Sequence, residues 1–262
     1  MRPVTSLERD EASRWVGVLF DLDDTFLDEG ELTESAYGAL FRLSRAGLRL
    51  VAVTGRPAGW GEVIARQWPV DAVVTENGAT TLYREERGVA RWSEVDPATR
   101  RARRERLAAG LSSLRSEFPS VRLSDDSHAR ESDVALDIGE RVHVPVDEIA
   151  RIERAARALG FRTFVSSVHL HLTLDSFDKA TGTLAFLVAH FQEDPTAARG
   201  RYAYIGDSAN DAPCFFAFLS SFGVANVAAS LPRLSVPPRY LAWAERGAGF
   251  VEIADAILAL RR

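Results

Sequence analysis

The chain has 262 residues, 46% hydrophobic and 26% charged, the make-up of an ordinary globular protein long enough to bury a core without covalent staples. A net charge of −5 argues against a general nucleic-acid binder, and a single cysteine, Cys214, excludes a disulfide framework or a cysteine-based zinc site. No apolar run nears the ~20 residues that span a bilayer. Residues 1–13 are polar and lack the apolar stretch of a signal peptide, so the expectation is a loose tail on a cytoplasmic protein that binds neither membrane nor nucleic acid.

Residues 15–20 read as a strand apolar on both faces. They run into Asp21-Leu22-Asp23-Asp24-Thr25. A helix over 34–46 stops at Gly47, and a second strand over 48–53 ends in Thr54-Gly55-Arg56-Pro57. A short helix over 58–67 leads to a third strand over 71–74. Such alternation predicts a parallel sheet with crossover helices, whose ligands sit beyond the carboxyl ends of the strands. After Tyr83 the rhythm changes. Helices over 97–118 and 146–159 and strands over 132–138, 161–166 and 168–174 predict a small inserted α+β domain over 84–175. A helix over 181–191 and a strand over 202–205 then resume the first pattern. That strand ends in Gly206-Asp207-Ser208-Ala209-Asn210-Asp211, and a short strand over 222–224 and a terminal helix over 250–260 follow. The predicted fold class is α/β, with a Rossmann-like parallel core over 1–83 and 176–262 split by the insertion.

Asp21, Asp23 and Asp24 fall within four positions at a strand end. Turns often carry such aspartates for local capping. Following a buried strand, however, they are held rigidly, and packed like charges raise a carboxyl pKa unless a cation joins them. Asp207 and Asp211 sit in the same way after another apolar strand, so a parallel sheet brings all these carboxylates together. Their oxygens suit a hard ion such as magnesium. Thr54-Gly55 offers a hydroxyl and backbone N–H groups for an anion, or simply a cap. Lys179 is the only lysine in a chain that otherwise uses arginine, as expected where a compact point charge is required.

In order, Asp21-x-Asp23-x-Thr25, Thr54-Gly55-Arg56, Lys179 and Gly206-Asp207-x-x-x-Asp211 resemble the motifs of the haloacid dehalogenase superfamily. Asp21 to Thr54 spans 33 residues and Thr54 to Lys179 spans 125. A cap in the second interval is similar to the type II branch, which includes sugar-phosphate phosphatases. Glu76-Asn77-Gly78-Ala79 and Gly223-Val224-Ala225-Asn226 are similar to segments of that branch. The resemblance implies a magnesium-dependent phosphomonoesterase acting on a small phosphorylated metabolite through an aspartyl-phosphate. It implies Asp21 as nucleophile, Asp23 as acid and base, and Lys179 as the neutralising cation. Thr54, Gly55, Arg56, Asn77 and Asn210 would bind phosphate or substrate. Asp21, Asp23 (through its carbonyl), Asp207 and Asp211 would hold or support magnesium. A phosphomutase of the phosphomannomutase type, or a catalytically silent binding protein on the same fold, are the alternatives.

The chain departs from the branch in having Ala180 rather than glycine after Lys179, and Phe26 where leucine is usual. His169 and His171 share a strand face; they are expected to be half-exposed near the hinge, with His171 a substrate contact. Arg100, Arg101, Arg103, Arg104 and Arg106 read as a solvated basic helix face, and Cys214 as a small buried residue.

Overall fold

A computed structural model describes residues 1–261. In chain order its strands are β1 (Arg2–Pro3), β2 (Gly17–Phe20), β3 (Arg49–Val53), β4 (Ala72–Thr75), β5 (Thr80–Glu85) and β6 (Gly88–Trp92). There follow β7 (Asp133–Asp137), β8 (Arg162–Val165), β9 (His169–Thr173), β10 (Tyr202–Gly206), β11 (Ser220–Gly223) and β12 (Tyr240–Leu241). One nine-stranded sheet runs β1-β12-β11-β10-β2-β3-β4-β5-β6 and a three-stranded sheet runs β7-β9-β8. All pairings from β1 across to β4 are parallel, while β4-β5-β6 and the small sheet are antiparallel. The fold is α/β, as the strand-helix alternation predicts.

β2 shows why the sheet is buried on both sides. Its alternate residues Val18 and Phe20 pack with Leu40 and Phe250, and Leu19 packs with Val51, Phe186 and Tyr204 on the other face. The chain leaves β2 toward β3 on one side and returns to β10 on the other, so the strand order reverses between β2 and β10. A ligand crevice forms at the carboxyl edge of such a reversal. Over the small sheet lie the helices Pro97–Glu117, started by an Asp96 cap and Pro97, and Val146–Ala158. Leu107, Leu114, Ile149 and Ile152 bury against Leu136, Leu170 and Leu172 of the sheet.

Two expectations need correction. Residues 1–13 are not a loose tail: β1 pairs with β12 at the edge of the large sheet and Arg9–Ala12 is helical. The boundary at 84 falls inside the β5–β6 hairpin, which continues the large sheet, so the inserted segment starts after Trp92. Short helices at Pro195–Arg201 and Ala212–Ala217 are additions; their apolar repeats are too few to show a period. Among the described residues, no helix is long and apolar enough to cross a membrane.

Candidate active site

Asp21 follows β2 directly, and its amide donates to the Ile205 carbonyl of β10 at 2.9 Å. This bond seats the carboxylate beside the end of β10, where Asp207 follows Gly206. Lys179 is the first residue of the helix Lys179–Phe191, which opens with a reciprocal Asp178–Thr181 cap. A cation at a helix N-terminus opposes the helix dipole. Here two carboxylates offset that: Lys179 Nζ donates to Asp21 Oδ1 at 2.6 Å and to Asp211 Oδ1 at 2.7 Å. Burial alone would lower the lysine pKa, but Asp21 and Asp211 outweigh it and the ammonium stays charged.

Three positions after Lys179, Gly182 packs directly against Gly78. A Cβ on Gly182 would lie 2.2 Å from the Gly78 carbonyl oxygen, and one on Gly78 2.3 Å from the Asp178 carbonyl oxygen. Both must be glycine for the turn at Glu76–Gly78 to press onto the start of the helix. In that turn Glu76, Asn77 and Gly78 all have positive φ, which glycine and asparagine accept most readily.

Asp21, Asp207 and Asp211 each offer a carboxylate oxygen, and these atoms lie within 4.8 Å of one another. Asp211 is engaged on both sides. Its Oδ1 accepts from Lys179 and from the Tyr204 hydroxyl, and its Oδ2 from the Asp207 and Ser208 amides at 2.9 Å. Asp211 therefore holds Lys179 and the loop in place. Asp207 accepts one bond per oxygen, from Thr25 at 3.1 Å and Asn226 at 3.0 Å, and keeps lone pairs free. Burial, opposed by Lys179 and reinforced by Asp211 and Asp23, pushes the Asp21 carboxyl up to about 8. Asp207 is raised well above the usual range by burial and then by Asp21 and Asp211. Three buried carboxylates thus share one lysine, an all-oxygen, cation-deficient donor set that fits a hard divalent ion such as magnesium.

The Asp23 carboxylate stands apart from that cluster, and its expected part in holding the metal is through the backbone carbonyl. Both of its oxygens accept from Arg56 Nε at 2.9 Å, and Oδ1 also accepts from Nη2 at 2.7 Å. Arg56 reaches on to two residues of the insertion, Glu140 at 3.0 Å and Asp126 at 3.4 Å, and stacks over Trp60. Asp23 and Arg56, with Asp24, Glu140, Ser167 and Arg246, line a cleft of about 390 Å³ between the large sheet and the insertion. Thr54 is not a helix cap: its Oγ1 accepts from the Arg56 amide at 3.0 Å, and the helix begins only at Ala58.

His169 and His171 are buried rather than half-exposed. β9 is central in the small sheet, and this face of it is turned to the Thr54–Arg56 loop. The His171 ring lies against Gly55 and its Nδ1 meets Asp133 at 2.8 Å. Asn77 Oδ1 accepts from Asn210 Nδ2 at 3.1 Å, so Thr54, Gly55, Asn77, His171 and Asn210 form one neighbourhood. The arginines at the start of the helix Pro97–Glu117 are only partly a solvated face. Arg100 and Arg103 bind Asp175, and Arg104 the Arg130 carbonyl. Cys214 is buried.

Sequence reasoning missed Arg130 and Tyr204. Buried Arg130 pairs with Asp126 at 3.0 Å and Asp133 at 3.1 Å and donates to the Gly55 carbonyl at 2.9 Å. No local pattern marks it among so many arginines. Tyr204 left a weak signal, a polar tip inside an apolar strand two residues before Gly206.

Comparisons with known proteins bear on the family and the fold. Residues 18–100 match the family of haloacid dehalogenase-like hydrolases. The fold resembles a Thermoplasma acidophilum protein, with 17% identity, TM-score 0.70, and 93% of this chain and 98% of the other covered. It also resembles the Synechocystis sucrose-phosphatase solved with sucrose and phosphate, with 16% identity, TM-score 0.64 and coverage of 93% and 98%. A trehalose-6-phosphate phosphatase related protein matches at 18% identity, TM-score 0.58 and coverage of 93% and 98%. No curated protein matches the sequence. The resemblance to the haloacid dehalogenase superfamily is thereby borne out: the chain has the fold of these hydrolases and carries their family signature across the segment with Asp21 and Thr54.

Proposed function

We propose that the protein is a magnesium-dependent phosphomonoester hydrolase acting on a small phosphorylated metabolite, such as a sugar phosphate. The observation that carries this is the setting of Asp21: buried at the carboxyl end of a central parallel strand, 2.6 Å from Lys179 and grouped with Asp207. An anionic nucleophile approaches an anionic phosphoryl group only where cations screen both, and Lys179 supplies one beside Asp21.

Asp21 attacks phosphorus, an Asp21 O–P bond forms, and the bond from phosphorus to the leaving oxygen breaks. Asp23 gives that oxygen a proton, then takes one from the water that attacks phosphorus and frees Asp21. Both Asp23 oxygens accept from Arg56, so a proton on Asp23 displaces one of those bonds. Thr54 and the Gly55 amide hold phosphoryl oxygens, and Lys179 neutralises charge on Asp21 and the transferring group. Asp21, Asp207 and the Asp23 carbonyl would hold magnesium, with Asp211 and Thr25 bracing the carboxylates; when bound it would supply positive charge beside the nucleophile.

The test is phosphate release with magnesium across phosphorylated sugars, glycerates and nucleotides, alongside Asp21→Asn. The wild type is expected to release phosphate over many turnovers and the variant none. Release by the variant at the wild-type rate, or none by the wild type even from p-nitrophenyl phosphate, overturns the proposal.

A further inference from the structure

Asp23, which gives the leaving oxygen its proton, lines the cleft of about 390 Å³ between the large sheet and the insertion. A proton donor stands within hydrogen-bond reach of the atom it serves, so the group carried by that oxygen extends into this cleft. The cleft is also tied to the Asp207 side of the site. Asn226 donates to Asp207 at 3.0 Å and to the Asp24 carbonyl at 2.9 Å, and it accepts from the Arg246 amide at 2.9 Å. Asp24 and Arg246, both walls of the cleft, are therefore fixed beside Asp207.

The charges on the walls do not balance. Asp23, Asp24, Glu29 and Glu140 line the cleft against two guanidiniums, Arg56 and Arg246. Both guanidiniums are already engaged. Buried Arg56 holds Asp23 at 2.7 Å, Glu140 at 3.0 Å and Asp126 at 3.4 Å. Arg246 faces Glu29 at 3.0 Å, Asp24 at 3.3 Å and Asp28 at 3.4 Å. Each arginine thus meets three carboxylates. A proton on Asp23, in its role as acid, still leaves three wall carboxylates against two cations.

The imbalance is built into the insertion's side of the cleft. Asp137 accepts from the Glu140 and Arg141 amides at 2.9 and 3.0 Å, which fixes the loop, and Glu140 Oε2 meets His169 Nε2 at 2.8 Å. The bond to His169, against burial and with Arg56 adding to the fall, holds the Glu140 carboxyl at about 2, so it is charged at neutral pH. The next residue, Arg141, pairs instead with Asp125 at 2.9 Å in an exposed position.

We propose that this cleft selects the leaving group by charge. It takes phosphate monoesters of amino alcohols, amino sugars among them, ahead of those of neutral polyols, and it rejects leaving groups that carry a carboxylate or a second phosphate. The ammonium would sit among Asp24, Glu29 and Glu140. The proposal rests on the phosphatase reading for the part given to Asp23. One net charge a few ångströms away changes affinity by about 10-fold at the effective dielectric of a protein surface.

The probes are 2-aminoethyl phosphate, 2-hydroxyethyl phosphate and phosphoglycolate, whose two-carbon leaving groups are cationic, neutral and anionic at neutral pH. Dissociation constants are measured with magnesium on Asp21→Asn, so no turnover is needed, and kcat/KM on the wild type. Affinity is expected to fall by about 10-fold at each step from cation to anion, and the steps to shrink as salt is added. Glu29→Gln with Glu140→Gln balances the walls charge for charge and is expected to bring all three probes within about 3-fold. Glu29→Gln alone, at a side chain 75% exposed where the fold is not at stake, is expected to reduce each step to about 3-fold. Phosphoglycolate bound as tightly as 2-aminoethyl phosphate, or steps unchanged in both variants, overturns the proposal. Phosphate release by the wild type with no order among the probes defeats the charge selection alone. The expected order in binding without any phosphate release defeats the phosphatase reading alone.

Discussion

Replacing His171 by glutamine isolates the energetic cost of keeping an imidazole neutral inside the protein. In the folded chain the ring's pKa falls from 6.5 to about 4, first because of burial, with Asp133 opposing and Arg130 and His169 adding to the fall. The folded value lies below the unfolded one, so between them the unfolded chain binds the extra proton. Stability is complete above 6.5 and is lost as pH falls toward 4. A shift of this size corresponds to roughly 3 kcal/mol in full, of which about 2 kcal/mol is lost by pH 5. Asp133, lowered to about 2 chiefly by Arg130 and His171 against its burial, contributes its own loss only below its unfolded value of 3.8, outside this window. Thermal unfolding at pH 7.5 and pH 5 measures the effect. The wild type is expected to lose roughly 4–8 °C more than His171→Gln between the two conditions, for a chain of this length. Equal losses in the two proteins would refute the neutral ring.

Two further predictions follow from the packing and the carboxylate cluster. Gly182→Ala puts a Cβ 2.2 Å from the Gly78 carbonyl oxygen, so it is expected to cost about 1–3 kcal/mol by urea unfolding. It should also lower phosphate release by pushing the start of the Lys179 helix away from the Glu76–Gly78 turn. Magnesium is expected to raise the melting temperature of the wild type in proportion to the logarithm of its excess over Kd, and Asp207→Asn to abolish most of that rise. An equal rise in both would take Asp207 out of the metal site.

The elements that carry chemistry were readable because their signals are local. An apolar strand that stops abruptly at Asp21, Thr54 or Asp207 shows both the strand and the edge where its last residue emerges. A parallel sheet then gathers those edges without further information. Lys179 stood out by composition, since only a point charge serves between two buried carboxylates 158 and 32 residues away in sequence. The need for glycine at 182 was not readable, because it comes from the close approach of Gly78.

Only the tertiary structure decided the rest, because it depends on groups that meet across long separations. Arg56 could serve substrate or a carboxylate as far as sequence goes; its bidentate hold on Asp23 and reach to Glu140 follow from how the insertion lies over the large sheet. Arg130 meets Gly55 across 75 residues, with nothing in its own neighbourhood to distinguish it from other arginines. The strand pattern of His169 and His171 specified which face they share, but not that this face is turned inward onto the Thr54–Arg56 loop. Burial, and with it the neutral ring, is a property of two surfaces in contact and is written in neither stretch of sequence alone.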